Sequence, residues 1–215
     1  MLKLIKKEFS LAVHPTAWIF LALSAMLLIP NYPYYVVFFY TGLGLFFTCL
    51  TGRENRDIDY MLLLPLRKRD IVTARFASTL VLEGLQLVAA AGFAVLRGFL
   101  LKEGNQAGMD ANTAFFGLAL VQLGLMNFIF FTRYYRRPEK VGSAFIVTSI
   151  ACFGYIGIAE AAAFAAPFVR DVLDVSDPAN LPVKLAVLGS GAAVFAALTT
   201  LAYHRSVRSF EALDC

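Results

Sequence analysis

An all-α membrane protein with six transmembrane helices is the fold class this sequence predicts, on three observations. The chain is 59% hydrophobic and 16% charged over 215 residues, whereas soluble domains carry about 25% charged residues. Its mean hydropathy is +0.68, because apolar residues gather in runs close to the ~20 needed to cross a hydrocarbon core. The polar residues gather between those runs, most densely at 53–70, which holds five of the nineteen basic and four of the fifteen acidic residues. No compositional break divides the chain, so residues 1–215 read as a single transmembrane domain.

The opening residues predict an amphipathic helix lying at the membrane surface. Leu2, Ile5, Phe9 and Val13 recur at spacings of three and four, while Lys3, Lys6, Lys7 and Glu8 take other faces. His14-Pro15 ends it. A signal peptide is disfavoured, because bulky Leu28-Ile29-Pro30-Asn31-Tyr32-Pro33 follows the apolar run instead of a small-residue cleavage pattern. The predicted spans are 16–30, 34–51, 71–101, 113–132, 141–166 and 183–203, with Asp70 as N-cap of the third. Their interiors are rich in Gly, Ala and Ser (Ala89-Ala90-Ala91-Gly92, Gly189-Ser190-Gly191), as close helix packing in lipid requires.

An even number of spans puts both termini on one side. The N-terminus, 52–75, 133–140 and the C-terminal tail hold fifteen Lys and Arg, against four at Arg97, Lys102, Arg170 and Lys184. By the positive-inside rule the termini and the 53–70 segment are cytoplasmic. The net charge of +4 then reflects topology and anionic lipid rather than a nucleic-acid partner. Outside, Asp171, Asp174 and Asp177 lack the glycine and terminal glutamate of a calcium loop and read as a solvated acidic face, preceded by a short surface helix.

Catalytic constellations are missing. There is no His-Glu-x-x-His, no phosphate-binding Gly-x-x-x-x-Gly-Lys-Ser/Thr loop and no aspartate cluster for a metal. Cys49, Cys152 and Cys215 form neither a disulfide framework nor a metal spacing. The chain itself is therefore expected to bind no metal or cofactor and not to be an enzyme. Glu83 and Glu160 do fall within spans, Glu83 about 20 Å along the third helix at 1.5 Å per residue. A charge there costs several kcal/mol unless paired or wetted, which makes Glu83, Glu160 and nearby Gln86 candidates for a translocation path. A structural contact is the alternative.

Residues 53–64 have helix formers, charges at the start and an apolar end, and Pro65 stops the run. Ile58, Met61 and Leu62 share one face, predicted to lie on the inner leaflet with the charges toward the cytosol. Arg67-Lys68-Arg69 anchors at the phosphates before the next span. The run from Glu54 to Phe76 resembles the signature of small ABC-2-type ABC transporter permeases: an acidic residue after the second span, a leu-leu-x-leu-pro-x-x-arg element around Pro65, then an Ile-Val-x-Ala-Lys lead-in to the third span. Here Arg75 stands where lysine is usual and Leu64 where serine is common.

The resemblance covers about 25 residues in motif and most of the chain in architecture. It implies a permease subunit of an ATP-driven exporter in a bacterial cell (inner or plasma) membrane. A separate ABC ATPase carries ATP and Mg, and a second permease copy or homologue completes the path. The cargo is an apolar or amphipathic peptide, toxin or drug. The N-terminal helix is then the family's connecting helix, and 53–70 holds its coupling helix. ATPase docking falls to Glu54, Asn55, Asp57, Asp59, Tyr60, Leu64, Pro65, Arg67, Lys68 and Arg69, with the acids facing basic residues of the ATPase. A membrane scaffold docking a soluble partner without transport, or an intramembrane enzyme using Glu83 or Glu160, are the alternatives.

Overall fold

The computed structural model describes residues 2–101 and 104–213, and among them there is no strand. Helix α1 (Leu2–Lys7) passes into a π-helical turn (Glu8–Ala12). Helix α2 (Thr16–Ala22) tightens into a 3₁₀ helix (Leu23–Leu28) where Ser24 turns its hydroxyl onto the Leu21 carbonyl at 2.8 Å. A side chain that hydrogen-bonds its own backbone competes with the regular helix in this way. The two pieces rise about 22 Å, short of the ~30 Å hydrocarbon core.

Among the described residues five helices are long and apolar enough to cross a membrane: α3 (Val36–Glu54), α5 (Lys68–Leu100), α6 (Thr113–Tyr134), α7 (Val141–Ala165) and α8 (Leu181–Glu211). Between α3 and α5 lies the short α4 (Asp57–Leu62). Helices α5 and α8 exceed the predicted limits: α8 runs eight residues past Tyr203, and α5 begins at Lys68, so Asp70 sits in its first turn instead of capping it. Asn112 caps α6, accepting the Phe115 amide at 3.0 Å.

The bundle has two apolar clusters. One gathers Tyr34, Tyr35, Phe38, Met109, Phe115 and Leu123; the other gathers Cys49, Met61, Phe76, Phe131, Tyr135 and Phe210. Buried amides and a carboxyl from the middle of α5 and α6 (Glu83, Gln86, Gln122 and Asn127) interrupt the apolar packing. Helices α6 and α8 approach most closely because glycines remove the side chains between them. A methyl group on Gly191 would overlap the Gly117 carbonyl, and one on Gly124 would come within 2.9 Å of the Phe195 backbone. In lipid, where apolar burial gives helices no reason to associate, this close backbone approach is a main source of cohesion.

Three expectations change. The first predicted span, 16–30, is not one continuous α-helix but passes into 3₁₀ helix at Leu23 and ends at Leu28. The N-terminal helix does not put all its charges on one wet face, because Glu8 is 1% exposed. The helix predicted over 53–64 breaks at Asn55-Arg56, where Arg56 turns left-handed (φ 51°).

The glycine contact predicts an asymmetry between neighbours on α8. Overpacking costs about 1–3 kcal/mol, so Gly191→Leu should lower the melting temperature in detergent by about 5 °C. Gly189 faces open space, and Gly189→Leu should leave it unchanged.

Candidate functional site

The polar segment is fixed to the bundle by a cluster of four charges, with Glu8 and Arg75 buried and Lys7 and Asp57 half-buried. Arg75, one and a half turns past Asp70 on α5, is 4% exposed. Its Nε lies 2.7 Å from Glu8 Oε2 and its Nη2 3.1 Å from Asp57 Oδ2. The other oxygen of Asp57 meets Lys7 Nζ at 2.5 Å, and Lys7 reaches Glu8 Oε1 at 3.5 Å. Two cations and two carboxylates make the group neutral. Each ion alone would cost several kcal/mol to desolvate, a penalty that closed pairing offsets. Three elements distant in sequence therefore meet at one guanidinium: the N-terminal segment, α4 and α5. The backbone amide of His14 adds a bond to Thr48 Oγ1 on α3 at 3.1 Å.

This pairing sets which face α4 presents. Met61 is buried and accepts a contact from Lys7 Nζ at 3.4 Å, while Ile58 and Leu62 pack on the cluster around Cys49 and Phe131. The apolar face predicted to rest on lipid is thus covered by protein, because Asp57 is drawn inward to Arg75 on the same side. The opposite face is open: Glu54, Asn55, Arg56, Asp59, Tyr60, Leu63, Leu64, Pro65, Arg67 and Arg69 are all exposed, Tyr60 by 62% and Leu63 by 85%. Arg56 adopts its left-handed backbone at about 1–2 kcal/mol for a residue with a Cβ.

The predicted docking residues therefore divide. Asp57 is committed inward. Glu54 reaches Arg53 at 3.7 Å on the surface, and Arg67 pairs with Asp70 at 3.2 Å. Lys68 donates to the Leu213 carbonyl and stands over the Phe210 ring, and Arg69 donates to Tyr203 Oη at 3.1 Å. These last two tie the start of α5 to the end of α8. Asn55, Asp59, Tyr60, Leu64 and Pro65 remain on the outer face, joined by Leu63, which the sequence analysis passed over.

The translocation candidates are enclosed. Glu83 is 1% exposed and accepts one bond, from Asn127 Nδ2 at 3.1 Å; Asn127 also donates to Thr199 at 3.3 Å. Gln86 donates to Ser24 Oγ at 2.9 Å and approaches the Val37 carbonyl at 3.5 Å. Glu160 accepts the Met109 amide at 2.9 Å and packs against Gly108, where any side chain would strike its carboxylate. Glu160 therefore holds the 104–112 loop against α7. The three residues do not converge on one cavity.

The end of the bundle away from α4 has its own polar fastening. Arg97 meets Asp110 at 3.1 Å and donates to Tyr34 Oη at 2.7 Å. Asp174 accepts the Asp110 amide at 2.6 Å. Asp177 takes Lys184 at 2.9 Å and both donors of Thr113 at 2.9 and 2.7 Å. Of the three aspartates predicted to form a solvated face, Asp171 and Asp177 are exposed, Asp177 while bonded to its donors, and Asp174 is half-buried. The pattern of alternating acids hid the donors, which lie about 64 positions away in sequence or across the turn into α8.

A family model described as ABC-2 family transporter protein matches residues 3–211, nearly the whole chain, and the protein belongs to that family. No curated protein and no solved structure matches it. The family places the chain as a multi-pass membrane subunit of an ABC transporter, a transport component rather than an enzyme in itself.

The fastening at the end away from α4 makes a pH prediction. Burial raises the Asp174 carboxyl from the ordinary 3.8 to about 6. A raised acid binds a proton more tightly in the folded state, so its penalty is present above pH 6 and is relieved as pH falls toward 4. Chemical denaturation should show wild type gaining stability between pH 7 and 5 relative to Asp174→Asn. Parallel curves for the two proteins would contradict the assignment.

Proposed function

We propose that this chain is the permease of an ATP-driven exporter, with α4 as the coupling helix that receives force from a separate ABC ATPase. The observation that carries the reading is the pairing of an exposed apolar tip with a buried ionic root. Tyr60, Leu63 and Leu64 project among charged residues, and exposed apolar groups rimmed by polar ones mark interaction sites. One turn behind them, Asp57 is clamped to Arg75 and Lys7. A push on the tip is therefore delivered to α5, a 33-residue helix, and to the N-terminal segment together.

In this reading Thr16–Leu28 is the first of six spans, bent and short, and both termini and α4 face the bacterial cytosol, where fifteen of nineteen basic residues then lie. A single chain encloses its polar residues, so the path forms between two permease copies. The apolar outer faces, such as Val88, Val95 and Phe99 on α5, are suited to an apolar or amphipathic cargo. ATP binding closes the ATPase pair, each ATPase moves one α4, and the two permeases tilt to release cargo outward.

Leu63→Asp places a charge at the most exposed apolar position of the tip without touching the Arg75 cluster. With a cognate ABC ATPase subunit, the variant in nanodiscs should melt like wild type yet lose about tenfold or more in ATPase affinity, the scale of one hot-spot residue. Undiminished binding and undiminished stimulation of ATP hydrolysis would exclude α4 as the docking element. Binding without any stimulation by wild type would favour a scaffold.

A further inference from the structure

Beside the tip lies an open groove of about 340 Å³, assembled from three stretches that are distant in sequence. Its apolar lining includes Ile58, Phe210 and Leu213, and its polar lining includes Arg56, Asp59 and Glu139. Arg56 is the unusual member. Among the described residues the three non-glycine residues with positive φ are Asn31, Arg56 and Asn180, and asparagine tolerates that region better than arginine. Glycine would make the same turn without strain. Among the described residues the Arg56 side chain has no hydrogen bond or ion pair that would reward the fold for keeping it there. The other cations near it are engaged: Arg53 with Glu54 and the Glu139 carbonyl, Lys68 with Leu213. Strain retained without an internal benefit points to an external one.

We propose that Arg56 and this groove are a second contact for the ATPase, taking an apolar side chain of the partner into the groove and an adjacent carboxylate onto the Arg56 guanidinium. The inference rests on the docking reading above and adds a sign to it: the reader of charge at this surface is a cation, although the acids Glu54, Asp57 and Asp59 were the predicted partners. A soluble segment carrying an apolar residue beside an acid satisfies both the lining and Arg56, and a basic neighbour would be accepted by Asp59. The groove also recruits the 138–140 turn and the end of α8. Closing it on a partner would bind those elements to α4 as one body.

The test compares Arg56→Gly, Arg56→Glu and Leu63→Asp in nanodiscs, with binding to the cognate ABC ATPase subunit and thermal melting as readouts. Arg56→Gly should melt at or above the wild-type temperature while weakening ATPase binding about tenfold, the value of one charge-assisted contact, and Arg56→Glu should weaken it further. If Arg56→Gly binds like wild type while Leu63→Asp does not, the groove contact is wrong and tip docking stands. If neither weakens binding, both fail. A lower melting temperature for Arg56→Gly would show that the arginine serves the fold and overturn the argument from strain. A loss seen in phosphatidylglycerol nanodiscs but not in phosphatidylcholine ones would assign Arg56 to lipid and overturn it also.

Discussion

The buried guanidinium of Arg75 is the constraint on which the α4 end of this permease depends. A helix of six residues has no stability of its own, since helix nucleation is costly and short isolated helices do not persist in water. Helix α4 exists because Asp57 in its first turn is held by Arg75 and Lys7, and because Met61, one turn on, is buried beside them. The same guanidinium fixes Glu8 and, through it, the N-terminal segment. Removing any one of the four charges leaves the other three with an unbalanced charge in a site where Glu8 and Arg75 are buried, which destabilises it. The cluster thus sets both the position of α4 and the face it shows.

The opposite end is built on a different logic. Loop residues 104–112 are pinned by separate bonds, from Glu160 to Met109, from Arg97 to Asp110 and from Asp174 to the Asp110 backbone. No single residue joins them all. Between the two ends, Gln86, Gln122 and Asn127 each spend a side-chain amide on another element, so the spans hold register through hydrogen bonds where lipid offers no hydrophobic drive for helices to associate. The arrangement keeps ionic control at the end where force is proposed to enter and distributes the fastening elsewhere.

Much of this was legible in the sequence. Long apolar runs set the five long helices to within a few residues at most ends, because hydropathy over such lengths leaves few alternatives. Pro65 and the charges around it located the polar segment between α3 and α5. The pairing of Glu8 with Arg75 was not legible: the residues stand 67 positions apart, Glu8 sits in a lysine-rich stretch that reads as surface, and Arg75 was counted with a basic loop. The depth of Arg75 inside α5 was the available signal, one turn past Ile71 and Val72, where an arginine needs a partner. The inward turn of Asp57 was hidden for the same reason. The bend of Thr16–Leu28 depends on a local Ser24 hydrogen bond that apolar periodicity does not register.

The central claim is that Arg75 and Asp57 act together to hold α4, and a double-mutant cycle on the intact chain in detergent measures it directly. Arg75→Met and Asp57→Asn, singly and combined, would be compared by chemical denaturation. Each single change should destabilise the protein, and the double variant should be more stable than the sum of the two by about 1–3 kcal/mol, the coupling of directly contacting groups. Additive effects would contradict the account, since α4 would then be held by its apolar contacts and not by the ion cluster.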